Sequence, residues 1–376
     1  MKPNHFTITS IEVYQAPIRL KKPFVISLGP LSHAENIYVV IRTSQGFSGF
    51  GECSPFMTIN GESMETGFVV ARYLARKLVG MNPLEIEKCT AAMNAVIYGN
   101  SSIKSAFDMA LYDIAAQNAG LPLYRFLGGN NDKTIETDYT VSLGEKQEMA
   151  ADALLIKNRG FRVIKVKLGE TKEKDIERIR LIRKTIGPEI PLRLDANQGW
   201  NTPDTIEILN SVADCNIQLC EEPIPRWNYM ELPEISRQSP IPVMADESCC
   251  DHHDAKRLID LKACNLFNIK LGKSGGIFTA LQIIGLAEKA GIKIQVGGFL
   301  ESRLGFTASA HLALSSKNIV YFDFDTPLML TDDPVTGGIQ YLENGKIQIP
   351  ETPGLGAAID PDFLRTLKKV VIKKYE

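Results

Sequence analysis

Five short apolar runs in this chain each end on a charged residue, and they recur at a nearly constant interval. Val163-Ile164-Lys165-Val166-Lys167 closes on Lys167, Pro191–Asp195 on Asp195, Ile217–Glu221 on Glu221, Pro242–Asp246 on Asp246 and Leu266–Lys270 on Lys270. Successive closing residues lie roughly 24–28 residues apart, the length of one strand, one helix and two loops. A βα unit of that size repeats readily into a closed barrel, whose active site is built at the C-terminal strand ends. The interval therefore predicts an α/β fold that brings Lys, Asp, Glu, Asp and Lys to one mouth.

The pattern extends on both sides. Glu136–Val141 reads as a first barrel strand, Lys293–Gly297 as a seventh, and a segment near Ile319–Phe322 as an eighth that closes the ring. Residues 7–53 read instead as antiparallel strands, with Tyr38–Arg42 and Phe47–Glu52 meeting across Thr43–Gly46. A helix follows with Ile103, Ala106, Phe107, Ala110, Leu111, Ile114 and Ala115 on one face and Gly120 as its stop. The expected division is an α+β cap over 1–130, a barrel over 131–327 and a segment over 328–376 that folds back on the cap.

Composition narrows the function classes. With 42 Lys plus Arg against 44 Asp plus Glu, no basic excess points to nucleic acid or an anionic membrane. Met1–His5 lead into an alternating strand and not an apolar leader, and no run is long enough to cross a bilayer. The seven cysteines are an odd number without a CxxC spacing, which suggests a reducing, cytoplasmic setting without zinc or disulfides. A homo-oligomer is expected.

Asp195, Glu221 and Asp246 come from three consecutive strand ends. Each alone fits a solvated loop acid equally well. Together, with no His or Cys in the set, they suit a hard cation, Mg²⁺ with Mn²⁺ as possible substitute. Lys165 and Lys167 are two apart on one strand and so share a face. Two adjacent ammonium groups should lower each other's proton affinity, which would tune a general base. Lys270 lies four strands on from Lys167, across an eight-stranded mouth. Two bases on opposite faces of a carbon acid can take a proton from one side and return it on the other. A metal can stabilise the resulting enediolate of a neighbouring carboxylate.

These residues resemble the enolase superfamily, in its muconate-lactonizing subgroup; the pairing of a Lys base with Mg²⁺ in that superfamily is a known pattern. The resemblance rests on Pro122–Gly129, the Lys165-x-Lys167 pair, Asp195–Trp200, Glu221-Glu222-Pro223, Ala245–Ser248 and Asn268-Ile269-Lys270. It implies a (β/α)7β modified TIM barrel capped by an α+β domain. It also implies metal ligation by Asp195, Glu221 and Asp246, and catalysis by Lys167 and Lys270 with Lys165 beside them. Glu222, Glu247, Asn197 and Glu301 are then supporting polar residues.

Within the subgroup, Asp323-Phe324-Asp325 is similar to the Asp-x-Asp pair with which dipeptide epimerases grip a substrate's free ammonium. The implied function is a Mg²⁺-dependent epimerase of L-Ala-Xaa dipeptides. The alternatives on the same scaffold are an N-acylamino acid racemase and an o-succinylbenzoate synthase, whose substrates carry no ammonium. A barrel retained only for binding is the other class, and it would have lost a lysine or a ligand. Thr140 and Gly297-Gly298 are expected at the substrate, the glycines for close backbone approach rather than as a phosphate loop. Glutamate-specific members carry an arginine in the loop after Lys-Pro-Phe. Here Gly29 takes that position, and Val25, Ile26, Leu28, Phe56 and Ile59 predict an apolar side-chain pocket. His311, His252 and His253 have no ligand partner at a recognisable spacing and read as structural.

Overall fold

The computed structural model describes residues 6–374; the Met1–His5 stretch, read above as no leader, lies outside them. The first third builds an antiparallel sheet from Ile8–Ile26, Gly29–Thr43 and Ser48–Cys53. Alternation along the central strand explains why Asn36–Ile41 are buried on both faces. Ile37, Val39 and Ile41 join a core with Ala71, Leu74, Ile103 and Phe107, while Tyr38 and Val40 face the other way and join the barrel's core. Helix Ser101–Ala119 lies directly on the edge strand. A Cβ at Gly49 or Gly51 would stand 2.0 Å from Ala110 O or 1.8 Å from Ala106 O, so only glycine allows this approach. The helix stops at Gly120 in a left-handed conformation, φ +68°.

Eight parallel strands follow in chain order: Tyr139–Val141, Ile164–Lys167, Leu192–Asp195, Ile217–Glu221, Val243–Ala245, Leu266–Lys270, Lys293–Gly297 and Ile319–Phe322. A helix follows each of the first seven, from Lys146–Asn158 to Arg303–Ala313, and a 3₁₀ turn at Thr326–Met329 follows the eighth. This is the expected (β/α)7β arrangement. Lys167 pairs in register with Asp195, and Asp195 with Glu221. Such parallel pairing places successive strand ends at one level.

The first strand is shorter than expected. Ile135–Glu136 leaves the barrel and pairs with Lys346–Gln348, because Thr137 N–H donates outward to Gly345 O while Tyr139 N–H donates to Val163 O within the ring. The ring therefore closes by side chain more than by ladder. Asp138 N–H reaches Phe322 O at 3.4 Å, and Arg193 Nη1 donates to Asp138 Oδ2 at 2.7 Å and to Phe322 O at 3.0 Å. The tail touches both halves. Lys368–Lys373 adds a strand to Ile8–Ile26, and Leu355 N–H donates to Asp113 of the cap helix. No helix among the described residues is long and apolar enough to cross a membrane.

Candidate active site

The five strand-end charges converge at the C-terminal mouth of the barrel, under the cap. Asp195, Glu221 and Asp246 are completely buried. Lys165 Nζ lies 2.7 Å from Glu221 Oε2, 2.8 Å from Asp323 Oδ2 and 3.0 Å from Asp195 Oδ2. Lys167 Nζ donates to Asp195 Oδ2 at 2.6 Å and Asn197 Oδ1 at 3.0 Å. Across the mouth, Lys270 Nζ donates to Asp246 Oδ2 at 2.6 Å, and Asn268 Nδ2 to Glu221 Oε1 at 2.7 Å. Lys273, which the sequence did not single out, also pairs with Asp246.

For Lys165 these contacts run against the depression expected from its neighbour on the strand. Burial does oppose the Lys165 charge, but Asp195, Asp323 and Glu221 outweigh it and hold the amine well above the usual lysine range. Lys270 is raised in the same way, against burial, by Asp246 and Glu221. The error came from counting neighbours along one strand when the decisive charges arrive from other strands. The acids respond in turn. Burial works against Asp195, yet Lys165 and Lys167 bring it down to about 2, whereas burial and Asp195 push Glu221 up to about 7.

The donor set fits a divalent cation. Asp195, Glu221 and Asp246 are buried hard-oxygen donors with no soft ligand among them, the donor chemistry Mg²⁺ selects. Lysines join them in series, Lys165 between Asp195 and Glu221 and Lys270 between Glu221 and Asp246. Lysine ammonium groups rest on the same oxygens, so the chain itself neutralises the cluster.

The supporting residues divide by what they touch. Glu222 accepts the N–H groups of Asp246 at 2.6 Å and Ser248 at 3.2 Å, fixing the turn that presents Asp246. Asn197 links Lys167 to Glu247 Oε1, 3.2 Å away. Glu301 accepts Phe299 N–H at 2.5 Å, and burial together with Glu52 pushes it up to about 8. Gly298 lines the cavity, and a Cβ there would strike Phe306 and Glu301. Gly297 does not line it; it faces Asn268 and Asp323. At Gly298 the demand for glycine thus comes from the protein's own side chains.

Asp323 and Asp325 border the same cavity as Lys165, Lys167 and Lys270, together with Thr140, whose N–H donates to Asp325 Oδ2 at 2.7 Å. The remaining wall is apolar: Phe24, Ile26, Phe56, Ile59 and Phe299. Val25, expected in this pocket, does not line it, and Leu28 does not reach the cavity but packs against the same wall. Strand alternation turns Phe24 and Ile26 inward and leaves Val25 to accept Leu143 N–H through its carbonyl. Gly29 opens the return strand after the Ser27-Leu28 turn with φ +122°, and nothing lies within 4 Å of a Cβ built on it. Lys167 Nζ stands 5.7 Å from the Phe24 ring centre and Lys270 Nζ 5.3 Å from that of Phe299. The enclosed space is small, ≈ 40 Å³. Phe24, Phe299, Asp138 and Arg193 were missed in the sequence. Arg193-x-Asp195 on one strand was an available signal, since period two sends both side chains inward.

His311 is structural, as expected. It accepts Tyr124 N–H, contacts Leu355 O and is held down to about 4 by burial. The cysteines of the described chain are all free.

A cap on a (β/α)7β barrel with carboxylates and lysines at its mouth defines a metal-assisted carbon-acid enzyme class, and comparison with known proteins makes the family definite. Residues 8–128 match the mandelate racemase / muconate lactonizing enzyme N-terminal domain, and residues 148–363 the enolase C-terminal domain-like family. The chain belongs to this family. It is 59% identical, over 97% of its own length and 99% of the relative's, to a D-Ala-D/L-Ala epimerase of Cytophaga hutchinsonii. A crystal structure of a dipeptide epimerase from that organism, complexed with Mg and the dipeptide D-Ala-L-Val, superposes with a TM-score of 0.97 at 58% identity, covering 98% of this chain and 100% of that one. An L-Ala-D/L-Glu epimerase of Bacillus subtilis is 40% identical over 93% of this chain and 96% of its own. An N-succinyl-L-Arg/Lys racemase of Bacillus cereus is 34% identical over 96% and 97%.

Proposed function

We propose that this protein is a Mg²⁺-dependent dipeptide epimerase that inverts the α-carbon of the C-terminal residue in alanyl dipeptides with a small apolar second residue. One observation carries the reading. Lys167 and Lys270 stand on strands four apart, and both line a cavity whose third side is Asp323 and Asp325. Two amines on opposite faces give a 1,1-proton transfer, and the aspartates give a grip for a free N-terminus.

Asp195, Glu221 and Asp246 would hold the cation, which when bound stabilises negative charge developing on the substrate carboxylate. Lys167 and Lys270 would act as a pair, the neutral amine taking the α-proton on one face while the other, as ammonium, delivers a proton to the opposite face. Asp195, Glu221 and Asp246, drawn off the lysines onto the cation, would let one lysine give up its proton. Lys165, held between Asp195, Glu221 and Asp323, keeps a positive charge beside the carboxylate and fixes Asp323. The Phe24 and Phe299 rings screen the two amines from water. Asp323 and Asp325 accept from the ammonium, and Thr140 holds Asp325 in place. Mn²⁺, with similar oxygen preference, should substitute.

The apolar wall sets the second residue. A Val or Ala side chain gains from burial against Ile26, Phe56 and Ile59, whereas a Glu carboxylate would lose water without a cationic partner, at a cost of about 1–3 kcal/mol or more. The N-terminal residue was expected to be L-Ala. The Cytophaga relative is named for D-Ala, so both configurations belong in the test. Incubation with Mg²⁺ and a library of D- and L-alanyl dipeptides in D₂O should yield products one dalton heavier. If only N-acyl amino acids gain mass, the racemase reading replaces this one.

A further inference from the structure

The proposed mechanism leaves one carboxylate unused. Asp138, just ahead of the first barrel strand, is completely buried, and its Oδ1 has no hydrogen-bond partner. Its Oδ2 is held by Arg193 Nη1 at 2.7 Å. Arg193 is itself pinned, by Gln218 Oε1 at 3.0 Å, by Phe322 O at 3.0 Å and by the Tyr321 ring at 4.6 Å, so Asp138 has little freedom to turn away. Asp138, Asp323 and Asp325 each bring one oxygen within 4.8 Å of the others. Two cations of the chain serve this trio, Arg193 on Asp138 and Lys165 on Asp323, and Lys165 is shared with Asp195 and Glu221. The trio therefore contains a buried acceptor that nothing in the chain satisfies. Burial of such an oxygen is unfavourable unless a ligand supplies the missing donor.

We propose that Asp138, Asp323 and Asp325 form a three-carboxylate seat for a primary ammonium, one N–H to each, which makes Asp138 a specificity residue for an unsubstituted N-terminus. The proposal rests on the dipeptide reading above. Three acceptors about 2.8 Å from a tetrahedral nitrogen stand about 4.6 Å apart, compatible with the spacing observed. Two aspartates alone would satisfy two of the three N–H groups and would accept a secondary ammonium equally well. The third carboxylate removes that tolerance. Arg193 and Lys165, already against the trio, disfavour a doubly charged metal at the same place.

Binding without turnover gives the test. Alanyl-2-aminoisobutyrate, in both N-terminal configurations, has no α-hydrogen on its second residue and cannot react. Calorimetric titration of the Mg²⁺-loaded protein with this compound, its N-methyl form and its N-acetyl form separates the contributions. In the unaltered protein one N-methyl group, which keeps the charge, should weaken binding at least tenfold. Asp138→Asn should weaken the parent compound at least tenfold and compress the methyl penalty to threefold or less, with Mg²⁺ affinity unchanged. Equal affinity of the parent and N-methyl compounds for the unaltered protein overturns the proposal, and that measurement decides the matter if Asp138→Asn does not fold. Parent affinity undiminished in Asp138→Asn also overturns it, as does a second equivalent of Mn²⁺ bound by the unaltered protein and lost in the variant. Acetyl binding as tight as the parent defeats the dipeptide reading itself. A penalty for acetyl with none for methyl defeats the third carboxylate alone.

Discussion

Lys167 and Lys270 stand on strands locked into an eight-stranded sheet, whereas Phe24 and Ile26 stand near the tip of a long hairpin reaching over from the cap. That tip meets the barrel through few polar contacts, among them Ser27 Oγ to Asn197 O at 2.8 Å and Leu143 N–H to Val25 O at 3.0 Å. The barrel supplies charge at fixed positions. The hairpin supplies apolar area on a lightly tethered segment. Reaction chemistry needs the first, because proton transfer tolerates little misplacement. Choice of side chain needs the second, because burial is non-directional and roughly proportional to area.

Removing a barrel lysine should produce the largest effect. Lys270→Ala or Lys167→Ala should lower epimerisation by at least ~10²-fold, the usual worth of a positioned acid–base group. Each variant should still exchange deuterium into one stereoisomer, read by NMR in D₂O, and the two variants should differ in which. Equal exchange of both stereoisomers in either variant would refute the two-face assignment. Chelation is next. Exhaustive EDTA treatment should abolish turnover and Mg²⁺ should restore it, with Asp246→Asn needing far more cation for half-activity. Activity that survives chelation would remove the metal from the scheme.

Changes in the cap's apolar wall, which the hairpin shares with the loop carrying Phe56 and Ile59, should be milder and selective. Alanyl-valine should exceed alanyl-glutamate in kcat/KM by about tenfold or more. Ile59→Ala should reduce alanyl-valine turnover by roughly 3–30-fold, the worth of partly lost burial, and leave Mg²⁺ affinity alone. Alanyl-glutamate proving the better substrate would mean that the wall does not select as its apolar lining implies.

The effect with least bearing on turnover concerns how the cap docks. Asp108 on the cap helix accepts N–H groups of Ile277 and Phe278 at the start of a barrel helix, and burial pushes its carboxyl up to about 7 from an ordinary value of 3.8. The folded state then binds a proton more tightly than the unfolded chain. Stability from this group is present at low pH and is lost as pH rises from about 4 to about 7. Urea midpoints should therefore rise between pH 8 and pH 5 by more in the unaltered protein than in Asp108→Asn, a difference on the order of 2 kcal/mol. Parallel pH profiles would show that Asp108 is not protonated in the fold.

The strand-end residues were legible because each sits in a local pattern: an apolar run, a closing charge and a fixed interval. The helix Ser101–Ala119 and its stop at Gly120 were legible for the same reason. Asp323 and Asp325 were found through resemblance to a short motif. The first strand was read too long, because the outward bond of Thr137 to Gly345 joins residues over 200 positions apart. Asp138 stands two before Thr140 and so shares its face, but its partners Arg193, Asp323 and Asp325 come from segments distant in the chain.

The sequence alone determined what repeats along the chain: the barrel, the order of charges at its mouth, and the alternation that makes Lys165 and Lys167 share a face. Tertiary structure decided which charges meet. It raised Lys165 where the strand pattern had lowered it, turned Val25 out and Phe24 in, and left Asp138 Oδ1 without a donor. Side-chain periodicity is a property of one strand and can be read there. Electrostatic neighbours in a closed ring are supplied by chain segments distant in sequence, and burial then magnifies whatever they bring.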